Sequence, residues 1–93
     1  MPSSLHRYHY QLFRSLLVAA RERSGLTQAQ VAEQLNRPQS YISKYERGER
    51  RLDFTEFVEL AEVLGINIPD FVATYKTSID VSTQKIRKTK KLA

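Results

Sequence analysis

The chain contains no cysteine among its 93 residues, and this absence removes three kinds of chemistry at once. Without thiols there can be no disulfide bond, no thiolate nucleophile and no cysteine-based zinc site. Long apolar runs are missing as well: the longest, from Leu16 to Ala20, stops at Arg21, whereas a membrane span needs about 20 apolar residues. The N-terminus also lacks the basic and then apolar order of a signal peptide. We therefore expect one small cytoplasmic domain and no contact with a membrane.

Recognisable catalytic and metal-binding patterns are absent too. Serine, histidine and aspartate all occur, but nothing orders them as a nucleophilic triad, and there is no glycine-rich phosphate loop. His6 and His9 are three residues apart and could share a metal ion, but no cysteine or carboxylate lies near them. A domain of this size also has little room for a deep cleft. We expect no enzymatic activity, no cofactor and no metal ion.

Charge is distributed unevenly along the chain. Residues 1–75 carry nine basic and nine acidic side chains, so the net charge of +5 comes entirely from residues 76–93. Within the neutral part, residues 37–51 hold five basic side chains against two acidic ones, and residues 53–62 hold four acidic side chains and no basic one. A basic patch beside an acidic helix suggests a surface that faces a polyanion. An unevenly charged solvated surface is the alternative.

The few glycines and prolines divide the chain into five helical segments. The predicted helices cover residues 5–23, 27–35, 38–47 and 53–64, followed by a short fifth helix after residues 67–69. Capping boxes mark two starts, one from Thr27 to Gln30 and one from Asp53 to Glu56. Gly25, Gly48 and Gly65 mark three ends. The residues expected to face the core are Phe13, Leu16, Leu17, Ala20, Val31, Ala32, Leu35, Ile42, Tyr45, Phe54, Phe57, Leu60, Ala61 and Leu64. The prediction is an all-α domain over residues 1–75 with a basic, flexible C-terminal tail over residues 76–93.

Two short helices joined at Asn36 and Arg37 have the spacing of a helix-turn-helix. The second of these helices must present a polar face to DNA while a few apolar residues hold it to the domain. Its outward residues are Gln39, Ser40, Ser43 and Lys44. Glutamine can bond adenine through N6 and N7 together, and lysine can donate to O6 and N7 of guanine. The pattern predicts a helix that reads base edges in the major groove.

Residues 25–35 and 39–48, continued by Phe57, Leu60-Ala61 and residues 64–66, resemble the Cro/cI-type helix-turn-helix of the XRE family. The resemblance covers residues 12–71. It implies a five-helix, lambda-repressor-like DNA-binding domain of a prokaryotic or phage transcription regulator. It further implies binding to palindromic operators as a homodimer.

The resemblance also assigns roles to individual residues. It implies base contacts by Gln39, Ser40 and Lys44, with Ser43 close by, and an ion pair between Arg21 and Glu46 that joins the first helix to the recognition helix. Gln28 would bond the DNA backbone and brace the first recognition residue. Four positions depart from the family pattern. Asn36 stands where glycine is common, and Pro38 replaces the usual serine or threonine cap. Arg37 replaces an apolar residue and would point towards a phosphate, and Tyr41 could pack, bond a phosphate or reach a thymine methyl group. The full set expected to contact the DNA backbone is Gln28, Arg37, Tyr41, Arg47, Arg50 and Arg51.

The leading hypothesis is a sequence-specific transcription regulator, a repressor, that inserts its recognition helix into an operator. Phe71, Val72 and Tyr75 are expected to form a dimer interface, although they could instead complete the core. The rival hypothesis is an antitoxin or another interaction module whose main partner is a protein. The basic tail is expected to add nonspecific attraction to phosphates, and a solubilising end is the alternative. Its basic residues beyond Lys76 are Lys85, Arg87, Lys88, Lys90 and Lys91.

Overall fold

Five helices make up the computed structural model, which describes the backbone of residues 2–92 and the side chains of residues 8–81. Residues 2–92 contain no strand, and the predicted all-α, five-helix class is confirmed. Among the described residues, none of the helices combines the length and the apolar composition of a membrane span. The helices are α1 (Pro2–Ser24), α2 (Gln28–Leu35), α3 (Gln39–Glu46), α4 (Phe54–Leu64) and α5 (Ile68–Leu92).

Local hydrogen bonds set the starts of α2 and α4. Thr27 accepts a hydrogen bond from the main-chain N–H of Gln30, whose side chain accepts one from Thr27 in return. Asp53 and Glu56 make the same reciprocal pair at the start of α4. Each capping box satisfies two N–H groups that a helix start would otherwise leave without partners.

The turns at the two ends of α3 depend on left-handed residues. Asn36 has a φ of 57° in the turn between α2 and α3, as its short polar side chain permits. Gly48, with a φ of 80°, follows the last turn of α3 and donates to the carbonyl of Tyr45. The next N–H, that of Glu49, bonds the carbonyl of Lys44 at 2.8 Å. This pair of bonds ends α3 and turns the chain sharply towards α4.

The core holds α3 in place from behind. Among the described side chains, the largest that are fully buried are Leu17, Val31, Ile42, Tyr45 and Leu60. They come from the first four helices, so the inner side of α3 packs against α1, α2 and α4 together. At one end of the core, edge-to-face or tilted aromatic contacts join Phe13 to Phe57 at 5.5 Å and to Phe71 at 5.9 Å.

Two sequence predictions about the ends of elements were wrong. Phe54 was expected in the core, but it is 74% exposed. The reason is that the core closes at Phe57, whose ring meets Phe13 and Phe71, while Phe54 lies one helical turn further out. The fifth helix does not stop near Tyr75 but continues to Leu92, since no glycine or proline interrupts the chain after Pro69.

The boundary placed after residue 75 therefore falls inside α5. Both the division into two regions and the flexibility of the tail remain predictions. The side chains of the tail's basic residues from Lys85 onward lie outside the described residues.

Candidate DNA-binding surface

The outer face of α3 carries the polar residues that the sequence predicts for base contact. Gln39, Ser40 and Lys44 are exposed. Ser43 is half-buried, and its hydroxyl donates to the main-chain carbonyl of Ser40 at 3.3 Å. Ile42 fills the opposite side of the helix without any exposed surface. Only the polar face of α3 is thus open to a partner.

Glu46, in the last turn of α3, is the centre of a buried ionic group that we call the Glu46 cluster (Arg14, Arg21, Gln28 and Glu46). Arg21 donates from Nε and Nη2 to the two carboxylate oxygens of Glu46, at 2.7 and 3.2 Å. This hydrogen bond raises the pKa of Arg21 above its ordinary value. Since a buried charge requires a partner, the pair explains how a glutamate can face inward here.

Gln28 also belongs to the Glu46 cluster, and its side chain lies differently from the expectation. Its amide Nε2 donates to Oε1 of Glu46 at 2.8 Å, so it braces the end of α3 and not Gln39 at its start. As the first residue of α2, Gln28 still lies where main-chain N–H groups lack an acceptor within the helix.

Arg14 completes this cluster, and the sequence analysis missed it. Its Nη1 donates to the main-chain carbonyl of Glu46 at 2.6 Å. Its guanidinium also covers Gly48, where an added Cβ would lie 3.2 Å from Nε of Arg14. Arg14 and Glu46 are 32 positions apart in the sequence, so no local sequence pattern indicates this contact.

A second ionic group, the Glu56 cluster (Arg37, Tyr41, Arg50 and Glu56), lies on the other side of α3. Arg50 makes a two-pronged pair with Glu56, with distances of 3.1 and 2.8 Å. Nη2 of Arg37 is 3.9 Å from the same carboxylate. The side-chain hydrogen bond from Arg50, followed by the main-chain bond from Asp53, lowers the pKa of Glu56 to about 2.

Tyr41 was grouped with the residues that contact the DNA backbone, but the structure buries it. Only 8% of the residue is exposed, and this burial raises the pKa of its hydroxyl. The guanidinium groups of Arg37 and Arg50 lie 4.5 and 4.7 Å from the centre of its ring. Tyr41 therefore supports two exposed arginines from beneath, because a cation is attracted to an aromatic face.

The loop between α3 and α4 presents the remaining arginines. Arg51 is exposed and lies 4.3 Å from the ring centre of Tyr10. The hydroxyl of Tyr10 accepts a hydrogen bond from the N–H of Leu52 at 3.0 Å, which ties this loop to α1. Arg47 pairs with Glu49 on the surface, where both side chains are 55% exposed. Tyr10 was not singled out from the sequence.

An apolar groove runs between α1, the start of α4 and α5, with a volume of about 590 Å³. We define it by six lining residues, Tyr10, Phe13, Leu52, Phe57, Phe71 and Tyr75. Phe71 and Tyr75, which were expected in a dimer interface, make edge-to-face contacts with Phe13. Val72 also lines the groove and is 42% exposed, and Phe54, another lining residue, is 74% exposed. Two of the three expected interface residues thus pack on the domain, and the third is open.

For metal binding, the side chains of residues 8–81 contain no group of three potential ligands. His6 lies outside the side chains that the structure describes, so the pairing of His6 with His9 is not tested.

The two short helices α2 and α3, with a tight turn between them and a polar outer face on the second, define a helix-turn-helix protein. The helix-turn-helix family model matches residues 17–71 of the chain. An XRE-family-like protein from Pseudomonas syringae pv. tomato is 35% identical, with a TM-score of 0.79, covering 83% of this chain and 94% of that one. The chain belongs to the XRE family of helix-turn-helix proteins, and its class is that of DNA-binding transcription regulators.

A second solved structure supports the fold alone. The clp gene regulator ClgR from Corynebacterium glutamicum is 19% identical, with a TM-score of 0.69, covering 90% of this chain and 89% of that one. No curated protein sequence matches the chain.

Proposed function

We propose that the protein recognises a specific operator in double-stranded DNA and represses transcription by occupying it, in the cytoplasm of a prokaryote or of a phage-infected cell. The observation that supports this most directly is the exposed row of Gln39, Ser40 and Lys44 on a helix whose other side is buried. These residues lie on the outer face of α3, where a recognition helix meets base edges. Their amide, hydroxyl and ammonium groups match base edges in the major groove. Ser43 would contribute its remaining hydrogen-bonding capacity at the edge of this row.

Backbone contacts would come from the residues around α3. Arg47 and Arg51 extend from the loop that follows it, and both are exposed. Arg37 and Arg50 flank α3 and keep 39% of their side chains exposed in spite of the pairing with Glu56. Phosphate contacts of this kind fix orientation but carry no sequence information. They would position the row on α3 over its bases.

A second copy of the chain is the partner we propose for the apolar groove. Phe54 and Val72 project at the rim of the same groove that offers an apolar recess. A two-fold interface requires one patch to be complementary to itself, with projecting and receiving parts side by side. Two domains joined in this way would place two recognition helices about 34 Å apart, or one turn of DNA.

The test is selection of bound duplexes from a random pool, with titration of the selected duplex by wild-type protein and two variants. We expect an inverted repeat, bound by a dimer in sedimentation analysis. Lys44→Ala should lose discrimination at one or two base pairs, by about 1–3 kcal/mol for each good contact. Arg23→Ala is the matched control, because it removes one exposed positive charge at the end of α1, away from α3.

Two results would contradict the proposal. If Lys44→Ala and Arg23→Ala weaken all duplexes equally, then Lys44 contributes charge only and does not read bases. If no duplex is enriched and the protein sediments as a monomer, then neither operator recognition nor self-association occurs, and the rival hypothesis of a protein partner takes precedence.

A further inference from the structure

A single carboxylate joins the two ends of the recognition helix. Arg37 precedes α3 and Arg50 follows it, yet both reach Glu56 in the first turn of α4. Glu56 is well placed for this because the capping box already holds it: Oε1 accepts from the N–H of Asp53 at 3.0 Å. Its side chain is only 12% exposed. The carboxylate is therefore fixed in position without help from the arginines.

Tyr41 determines where the two arginines lie. Its buried ring has one guanidinium at 4.5 Å and the other at 4.7 Å from its centre. Each arginine is thus held by two contacts, the ring of Tyr41 and the carboxylate of Glu56, and not by the carboxylate alone. An arginine held in this way loses less conformational freedom when it binds a phosphate.

The carboxylate also limits how strongly these arginines attract any DNA. Arg50 gives both of its terminal nitrogens to Glu56, and Nη1 donates in addition to the carbonyl of Arg51. A guanidinium has five N–H donors, so some of them remain for a phosphate after this pairing. The charge, however, is largely compensated until a phosphate approaches from the right direction.

We propose that Glu56 is a positioning residue for DNA binding, which holds Arg37 and Arg50 on Tyr41 and suppresses their attraction to phosphates out of register with α3. This inference rests on the proposed function, because "register" here means the alignment of α3 with the bases of an operator. Its effect on duplex DNA of arbitrary sequence does not depend on any operator. A role in DNA discrimination is thereby assigned to a residue that does not itself touch DNA.

The experiment compares Glu56→Gln with Glu62→Gln in wild-type background, using fluorescence anisotropy on a random-sequence duplex and on the selected duplex. Glutamine at position 56 can still accept the capping hydrogen bond but no longer neutralises the arginines. Glu62 is the matched control, since it is an exposed glutamate on the same helix and lies outside the Glu56 cluster. Titrations at about 50 and 200 mM salt give the slope of log K against log salt.

For Glu56→Gln we expect the slope on the random duplex to steepen by about 1, equivalent to one additional phosphate contact. The gain in affinity for this duplex over Glu62→Gln should be roughly threefold larger at about 50 mM salt than at about 200 mM, since one such contact changes binding about 3.5-fold over a fourfold change in salt. The selected duplex should gain less, because its complex already holds the arginines in register. Preference for the selected duplex at about 50 mM salt therefore falls, by up to about threefold.

Equal salt slopes for the two variants on the random duplex would overturn the inference. It would also be overturned if Glu56→Gln bound both duplexes more weakly by the same factor and had a lower melting temperature, since this would indicate a merely structural role. If selection returns no operator, the proposed function fails. A steeper slope for Glu56→Gln on random DNA would even then support the control of arginine charge by Glu56.

Discussion

Two carboxylates, those of Glu46 and Glu56, hold the ends of α3 in place. Both pair with arginine, but the two ion pairs differ in their exposure to solvent. The Glu46 cluster draws its donors from α1 and α2, and the side chains of Glu46 and Arg21 are 8% and 16% exposed. The Glu56 cluster draws its donors from the turns before and after α3, and both of its arginines are 39% exposed. One cluster is largely closed to solvent, and the other lies more open beside the polar face of α3.

This difference in burial separates stability from binding. Donors that are consumed inside the domain cannot contact DNA, so the Glu46 cluster stabilises the position of α3. Exposed ion pairs are screened by water and contribute little to folding, typically no more than about 1 kcal/mol. The Glu56 cluster therefore has little to contribute to stability, but it retains donors and charge for the phosphate contacts that we propose.

The largest effect that tests this comparison should come from Glu46→Ala. It leaves Arg21 without its carboxylate in a partly buried site and also removes the acceptor of Gln28. Breaking a buried pair in this way lowers the free energy of unfolding by about 3–5 kcal/mol. Urea denaturation followed by circular dichroism measures the loss.

Glu49→Ala is the matched control, because Glu49 lies three residues later and also pairs with an arginine, but in full contact with solvent. Its loss of stability should be much smaller, because water screens an exposed ion pair. If the two variants lose the same stability, burial does not distinguish the ion pairs and the comparison fails.

The second-largest effect should come from Gly48→Ala, which disturbs the contact between Arg14 and the end of α3. Gly48→Ala adds a Cβ at 3.2 Å from the guanidinium of Arg14, at a φ of +80° that other residues rarely adopt. Strain at such a position costs about 1–3 kcal/mol, and displacement of Arg14 adds to it. Gly65→Ala has nearly the same φ, +69°, with no atom within 4 Å of the added Cβ.

The difference in unfolding free energy between these two glycine variants isolates the contribution of Arg14. We expect Gly48→Ala to be the less stable one in the same urea titration. A smaller loss for Gly48→Ala than for Gly65→Ala would mean that Arg14 moves aside freely and does not help to anchor the end of α3.

The features of this molecule that the sequence could predict are those that local interactions determine. The capping residues Thr27 and Asp53 give the starts of α2 and α4, and the alternation of polar and apolar residues gives the outer face of α3. These features depend on neighbours within one or two helical turns, which periodicity rules describe.

The ion pair between Arg21 and Glu46 was expected from the family resemblance, but the other contacts of the two clusters escaped prediction because they depend on how helices cross. Tyr10 reaches Leu52 across 42 residues, and Arg14 reaches Glu46 across 32. Glu56 was recognised only as half of a capping box, although the basic stretch before it was already a sign that paired charges were available. Phe54 was wrongly placed in the core because its spacing fits the apolar stripe of α4, whereas the core reaches this helix only from Phe57, one turn further along.

The smallest effect is the response of the Glu56 cluster to acid. The pKa of Glu56 in the folded protein is about 2, below the ordinary value of 4.5. The stabilising contacts of its carboxylate with Arg50 and Asp53 are therefore complete above pH 4.5. As the pH falls from 4.5 towards 2, folding must work against protonation of this carboxylate and its contribution is lost. With half-exposed arginines as partners, that contribution should be about 1 kcal/mol.

Glu56→Gln should remove this part of the acid sensitivity, whereas Glu62→Gln should retain it. Identical loss of stability between neutral and acid pH in the two variants would show that the open cluster contributes nothing measurable to folding, which would sharpen the contrast with the Glu46 cluster.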